Sequence, residues 1–574
     1  MTQAPITAVV GLGSLGESLL RLALAAGHEV VAVDADPDVR HRVARRAKAA
    51  APDGAADRAV FTDDLTRAGR ASLVVEAVTE DLGVKTEVLR QLAAAAPGAV
   101  LVTTSAGLPP ARLAIASGRP ADVAGLRFLV PPGPGGTVEP VRTALTSPDA
   151  AAAVDALVAS LGLTPVALGT RPAADATALV LAHLNRAVAF LDEGHASRDD
   201  IDTAMRLGCG LPQGPFELLD AIGLDTAHAA LTRLRERTGD ASFEPAALLT
   251  RTVGAGLLGR KTGEGFHRYD DEGRAPRPPA ASPGAAGARP VGTVGVLGSG
   301  AMARGIAEVT AAAGHPTVLV ARSPEKAADA LAAVGASLDR SVERGRTSAG
   351  ARDAALARLA GAVGVAAVAG CDLVVEAVAE DEEVKRELFA ALGRTAKPGA
   401  LLATTTSSLS VADCAAASGR PADVVGLHFF NPAPLMRLVE VTRTAGTSDG
   451  AAATARAFTE GLGKTAVACP DRAGFIVNAL LFPYLGAAVA LLERHGTDIE
   501  ETDEAVRRGF GFPMGPFALL DTIGLDVSLA IQKRLYEQLG SPEHAPAPLL
   551  ADLVATGALG RKNRRGFRTA ARRG

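Results

Sequence analysis

One set of sequence signposts runs through this chain twice in the same order, so the fold must be built from two copies of one unit. Gly11-Leu-Gly-Ser-Leu-Gly16 returns as Gly298-Ser-Gly-Ala-Met-Ala303, and Val74-Val-Glu-Ala-Val-Thr-Glu80 returns as Val374-Val-Glu-Ala-Val-Ala-Glu380. Ser117-Gly-Arg-Pro-Ala-Asp-Val123 recurs as Ser418-Gly-Arg-Pro-Ala-Asp-Val424, and Gly214-Pro-Phe as Gly515-Pro-Phe. Between the copies lies Gly273-Arg-Ala-Pro-Arg-Pro-Pro-Ala-Ala-Ser-Pro-Gly-Ala-Ala-Gly-Ala-Arg-Pro290. Proline and glycine at that density favour a semi-rigid, solvated spacer. A chain of 574 residues is too long for one core, and the spacer divides it into halves of similar size.

Each half opens with an apolar run of strand character (Ile6 to Val10; Val291 to Leu297), a glycine turn, a helical stretch and a second apolar run (Val30 to Val33; Val318 to Val320). Strand, turn, helix, strand is a βαβ unit, and repeating it predicts a parallel, doubly wound sheet. Leu73 to Glu76 and Leu373 to Glu376, then Val100 to Thr103 and Leu401 to Ala403, read as later strands. Beyond about residues 170 and 470, alanine- and leucine-rich segments with helical spacing take over (Thr177 to Glu193; Phe475 to Glu493), predicting a smaller all-helical domain in each half. Gly11 to Gly298 is a step of 287 residues, whereas Glu76 to Glu376 is a step of 300, so the second copy carries 13 extra residues. They fall within Glu325 to Leu359 and predict a two-helix arm around Glu343 to Arg346 that the first copy has shortened.

A net charge of −4 gives no field for recruiting nucleic acid or an anionic membrane. Cys209, Cys371, Cys414 and Cys469 lack metal-ligand spacing and read as reduced thiols, which predicts no metal and a cytoplasmic location. The N-terminus shows no basic segment followed by an apolar stretch, and no run approaches ~20 apolar residues, so no membrane span is expected. The arginine-rich end (Arg561 to Arg573) reads as a solvated terminus.

Both glycine motifs follow an apolar strand and open a helix, the context in which such a motif binds a dinucleotide rather than merely turning the chain. Gly11 and Gly298 make the tight turn, Gly13 and Gly300 admit a pyrophosphate, and Gly16 and Ala303 let helix and strand pack closely. The helix N-terminus then offers N–H groups to the phosphates. The expected architecture is therefore α/β plus all-α: two tandem copies of a Rossmann NAD(P)-binding domain followed by a helical domain. The boundaries fall at 1–169, 170–272, a linker at 273–290, 291–469 and 470–574. Asp34, 18 residues after Gly16, suits the ribose hydroxyls of NAD. The second copy has Ala321 there, then Arg322 and Ser323, which suits the 2′-phosphate of NADP. Read otherwise, Arg322 is a surface arginine and NAD binding is merely weaker.

The second copy also reads Thr404-Thr-Thr-Ser-Ser-Leu-Ser410, Gly426-Leu-His-Phe-Phe-Asn-Pro432, Leu438-Val-Glu-Val441 and Asp471-Arg-Ala-Gly-Phe-Ile-Val-Asn478. Oxidising a secondary alcohol needs a base at its hydroxyl, and histidine titrates near working pH. Glu440 would reach His428 from a neighbouring strand, while Ser407 and Asn478 suit alignment of substrate oxygens. Alone, His428 reads more readily as a satisfied structural histidine; the combination is what points to chemistry.

That combination resembles the 3-hydroxyacyl-CoA dehydrogenase family, of the 3-hydroxybutyryl-CoA type, along nearly all of the second half. The resemblance implies His428 as general base paired with Glu440, Ser407 and Asn478 in the catalytic centre, and Glu380 and Lys385 toward the nicotinamide half of the cofactor. It also implies an acyl-CoA substrate, with the helical arm, including Arg344 and Arg346, holding CoA. The first copy resembles the same family but has Ala106 for Ser407, Arg127 for His428 and Thr177 for Asn478, with only Glu139 matching Glu440. A guanidinium cannot act as the base. The first copy is thus expected to be catalytically degenerate while binding NAD, keeping Glu80 and Lys85. Two tandem helical domains would pair within one chain as a pseudo-dimer, with further self-association open. Two other functions remain at this point: a dehydrogenase of a non-CoA 3-hydroxy acid, or a dinucleotide-responsive binding protein.

Overall fold

The structure, a computed structural model, describes residues 5–50, 52–105, 108–167, 170–270, 275, 287–407 and 409–568. Most of the expected linker, Ala106 and the last arginines lie outside them.

Among the described residues, each half holds one eight-stranded sheet. In the first it comprises β1 (Ile6–Val10), β2 (Glu29–Val33), β3 (Ala59–Thr62), β4 (Leu73–Glu76), β5 (Val100–Thr103), β6 (Val123–Arg127), β7 (Thr137–Val141) and β8 (Thr164–Pro165), in the order 3-2-1-4-5-6-7-8. The second repeats it with β9 (Val294–Leu297), β10 (Thr317–Ala321), β11 (Leu359–Val363), β12 (Leu373–Glu376), β13 (Leu401–Thr404), β14 (Val424–Phe429), β15 (Leu438–Arg443) and β16 (Thr465–Pro470), in the order 11-10-9-12-13-14-15-16. The order reverses between the first and fourth strands of each sheet, and the glycine turns end the first strand at that crevice. β4 and β12 are buried along their whole length, which is why they read as unbroken apolar runs around one carboxylate.

The sheets are not wholly parallel. β6 pairs with β7, and β14 with β15, in antiparallel fashion. That reversal sets His428 directly opposite Glu440, and Arg127 opposite Glu139.

Helices Pro324–Glu343 and Ala349–Leu356 form the expected arm, each started by a serine (Ser323, Ser348) whose hydroxyl accepts a backbone N–H. Ala330, Val334, Leu338 and Ala355 are its buried face, the last three clustering with Ala311. The first copy has instead helix Pro37–Ala50 and a short 3-10 turn. Leu359, expected to close the arm, is the first residue of β11.

The helical domains run from Thr170–Asp192 to Ala247–Gly254 and from Val477–His495 to Pro548–Ala555. They share one hydrophobic core, in which Val180, Leu184, Met205 and Phe216 of the first copy join Leu438, Val477, Leu480, Leu485 and Phe512 of the second. Among the described residues, two helices have the length and mean hydropathy (1.2 and 1.3) of a membrane span: Ala174–Asp192 and Val477–His495. Both are more than half buried. The longer helix Thr170–Asp192, which contains the first, packs on Val477–His495, with the His183 and Tyr484 rings 5.4 Å apart. Arg472 also crosses between halves to lie 4.9 Å above the Phe190 ring.

Candidate active site

The cofactor crevice is shaped by missing side chains. Gly298 sits at φ 128°, and a Cβ there would strike the carbonyl of Ala377. Gly300 precedes helix Ala301–Ala312 without any side-chain cap, and nothing lies within 4 Å of where its Cβ would point. The first-turn N–H groups are therefore left for an anion, with room for backbone to approach it. Gly11 and Gly13 repeat this arrangement before helix Ser14–Ala25. At the third position the copies differ: a Cβ on Gly16 would run into the Gly11 carbonyl, whereas the Ala303 methyl is fully buried in copy two. This cradle fits a dinucleotide in both halves.

At the end of β2, Asp34 accepts the Leu12 N–H at 2.7 Å and the Asp36 N–H at 3.0 Å, tying the glycine turn to the end of that strand. In copy two Ala321 is buried and Arg322 exposed. Ser323, expected beside a phosphate, spends its hydroxyl oxygen on the Lys326 N–H and so serves as a helix cap.

At the end of β12 lies a buried ionic lattice. Lys385 Nζ is 2.7 and 2.9 Å from the two oxygens of Glu376, and 3.4 Å from Glu380. Thr404 donates to Glu376 at 2.7 Å, while the Thr406 hydroxyl (2.6 Å) and Ser407 N–H (2.9 Å) donate to Glu380. Burial works to raise the Glu380 carboxyl, but Lys385 and these donors outweigh it and hold it below the usual range. Lys385 is 1 % exposed, so its ammonium serves the two carboxylates rather than solvent. Copy one keeps the lattice: Lys85 to Glu76 at 2.8 Å, Thr103 to Glu76 at 2.9 Å and Ser105 to Glu80 at 2.6 Å. Sequence reasoning passed over Glu376, Thr404 and Thr406, although a repeated glutamate inside an apolar strand was the signal.

The expected base and its carboxylate touch. His428 Nδ1 lies 2.6 Å from Glu440 Oε2, and the other Glu440 oxygen accepts the N–H groups of Ile476 (3.0 Å) and Val477 (2.9 Å). With Nδ1–H donating to the carboxylate, neutral His428 presents Nε2 as its acceptor. The rings of Phe430 and Phe475 flank the imidazole at 4.7 and 5.4 Å. Phe475 takes φ 49°, in the left-handed region, immediately before the two N–H groups that hold Glu440. Asn478 is largely buried at the start of helix Val477–His495, one residue beyond that grip. Ser407 is half-buried on the loop after β13 and meets Glu380 through its N–H.

In copy one Arg127 Nη1 lies 2.5 Å from Glu139 Oε2, so an ion pair fills the place of the histidine pair. Thr177, the counterpart of Asn478, lies inside a helix that begins earlier, at Thr170.

The family profile described as "3-hydroxyacyl-CoA dehydrogenase, NAD binding domain" matches residues 6–171 and 293–472. The profile "3-hydroxyacyl-CoA dehydrogenase, C-terminal domain" matches 176–269 and 474–570. A 3-hydroxybutyryl-CoA dehydrogenase of Mycobacterium tuberculosis is 43 % identical over 283 residues, covering 48 % of this chain and 97 % of that protein. The human mitochondrial hydroxyacyl-coenzyme A dehydrogenase is 40 % identical over 282 residues, covering 48 % of this chain and 90 % of its own. A solved 3-hydroxybutyryl-CoA dehydrogenase from Escherichia coli K12 covers 97 % of this chain and 99 % of its own at a TM-score of 0.53 and 20 % identity, a likeness of fold alone. With both profiles matched twice across nearly its whole length, the chain belongs to the 3-hydroxyacyl-CoA dehydrogenase family of NAD-dependent oxidoreductases and carries that family's domain pair in tandem.

Proposed function

We propose that the chain interconverts an L-3-hydroxyacyl-CoA and the 3-oxoacyl-CoA, and that its second copy alone performs the reaction. The observation that carries this reading is the His428–Glu440 pair at 2.6 Å, present only in that copy. In oxidation, Nε2 takes the proton of the C3 hydroxyl while Nδ1–H stays on Glu440, which steadies the imidazolium. In reduction, Nε2 returns that proton. Ser407 and Asn478 orient the substrate oxygens, and the arm with Arg344 and Arg346 meets the CoA phosphates. The dinucleotide is held by Gly298, Gly300 and the first turn of Ala301–Ala312, with Glu380 beneath its nicotinamide end. Once bound, it supplies the hydride acceptor or donor for C3.

The first copy binds NAD through Gly11, Gly13 and Asp34 without turnover, because Arg127 cannot accept the hydroxyl proton. Its helical domain pairs with that of the second copy as an internal pseudo-dimer. In the second copy the exposed Arg322, with no carboxylate at the end of β10, favours NADP over NAD.

The test is NAD(P)H absorbance with acetoacetyl-CoA, for the parent chain and His428→Ala, with each cofactor. Turnover that drops by roughly 10²–10⁴-fold in the variant is the expected result. Undiminished turnover would move catalysis away from the second copy. Faster oxidation of NADH than NADPH would refute the role given to Arg322 and leave the chemistry standing.

A further inference from the structure

Helix Arg198–Cys209 belongs to the first copy, yet it packs against β15, β16 and helix Val477–His495 of the second. Gly208 makes a very close approach. A Cβ built there would lie 2.8 Å from Val477 Cγ2 and 3.0 Å from Leu438 Cδ2, so either neighbour has to shift to admit any side chain at this position. Both neighbours belong to the framework of the catalytic pair. Val477 gives its N–H to Glu440 Oε1, and Leu438 stands two residues before Glu440 on the same face of β15. The next thiol, Cys209, is pushed up to about 12 by burial and then by the charge of Glu440, so the field of that carboxylate reaches into the first copy's helix. The contact has a mirror image: helix Ile499–Phe510 of the second copy presses on the first, where a Cβ on Gly509 would collide with Leu129, two residues past Arg127.

We infer that the first copy completes the second copy's active site in cis. The bare backbone at Gly208 is a positioning element. It lets helix Arg198–Cys209 bear directly on Val477 and Leu438, which fixes the N–H pair that grips Glu440 and, through Glu440, the imidazole of His428. The inference rests on the reading that the second copy turns over. It gives the first copy a catalytic consequence without chemistry of its own.

The experiment uses the full chain with Gly208→Leu, the milder Gly208→Ala, and Gly208→Leu combined with Val477→Ala to return the volume. Three quantities are read: kcat and KM with acetoacetyl-CoA, the dissociation constant for the dinucleotide, and the low-field proton resonance of His428 Nδ1–H, assigned by its loss in His428→Ala. Displacing the catalytic pair should lower kcat about tenfold or more in Gly208→Leu and less in Gly208→Ala. KM and the dinucleotide constant should stay within about twofold, the scatter expected of a step that only orients catalytic groups. The proton resonance should shift or broaden, and the double variant should regain most of the lost kcat. A folded Gly208→Ala or Gly208→Leu chain with parental kcat and an unmoved resonance overturns the inference, as does a rise in KM at constant kcat. Should the parent chain fail to turn over acetoacetyl-CoA, the functional reading falls, while the resonance still decides whether Gly208 governs the His428–Glu440 pair.

Discussion

His428 and Arg127 stand at the same point of equivalent strands, each facing a glutamate across an antiparallel pair. Glu440 has both oxygens committed, one to His428 and one to two backbone N–H groups. In Glu440→Gln the amide NH2 must face either the imidazole N–H or the backbone pair, and one side loses its acceptor. We expect kcat to fall about 10²–10⁴-fold with dinucleotide binding unchanged, as read by steady-state kinetics beside a binding titration. The converse exchange should fail: Arg127→His in a His428→Ala chain restores no turnover, because Thr177 still stands for Asn478. Appreciable activity there would make Arg127 the sole defect of copy one. A third residue reports on stability. Burial pushes Asp503 up to about 6, although it accepts the N–H groups of Phe517 and Ala518. Its folded pKa thus exceeds the unfolded one, so its contribution is fully present below about pH 4 and is lost as pH rises to about 6. Relative to Asp503→Asn, the parent should lose up to about 3 kcal/mol of unfolding free energy between about pH 4 and pH 7, measured by denaturant titration. A flat difference would contradict the burial argument. His428 and Glu440 were legible in the sequence because each sits in a local motif. The grip of Ile476 and Val477 on Glu440 was not, since backbone donors 36 and 37 residues away leave no mark on composition.

At the scale of elements, the strand–turn–helix units announced themselves through apolar runs and glycine spacing. β11 did not: Leu-Ala-Gly-Ala-Val is an edge strand, never fully buried, with a single β-branched residue. The reversed direction of β15 was equally silent, because side-chain alternation is the same in parallel and antiparallel strands. The glycine turns carry a finer distinction. Gly16 sits so close to the Gly11 carbonyl that Gly16→Ala must force the turn apart, whereas Ala303 already fits the same place. Gly16→Ala should therefore abolish the stabilisation that NAD gives copy one in thermal melts. Ala303→Gly should cost only about 1 kcal/mol, the helix penalty of glycine, and keep its cofactor response. Equal effects at both positions would show that the third glycine is not set by this packing.

For the whole molecule, the duplication predicted two helical domains in one chain, and their shared core gives that prediction a physical form. Val180 and Leu184 on one side, with Leu480 and Leu485 on the other, are at most 1 % exposed, on helices as apolar as membrane spans. Separating the halves would bare that surface to water, and a contiguous apolar face of this kind drives aggregation or self-pairing. Residues 287–574 produced alone should accordingly precipitate or dimerise, and a separately expressed 1–272 should bring them back as a one-to-one complex. A protease site placed in the Pro/Gly spacer makes the same comparison without refolding: after cleavage, the halves should co-elute in gel filtration and part only in denaturant. The Gly208 contact adds a sharper criterion, because activity should then return with the first half and not with solubility alone. A lone second half that stayed monomeric and fully active would remove both the packing and the catalytic reason for keeping the first copy.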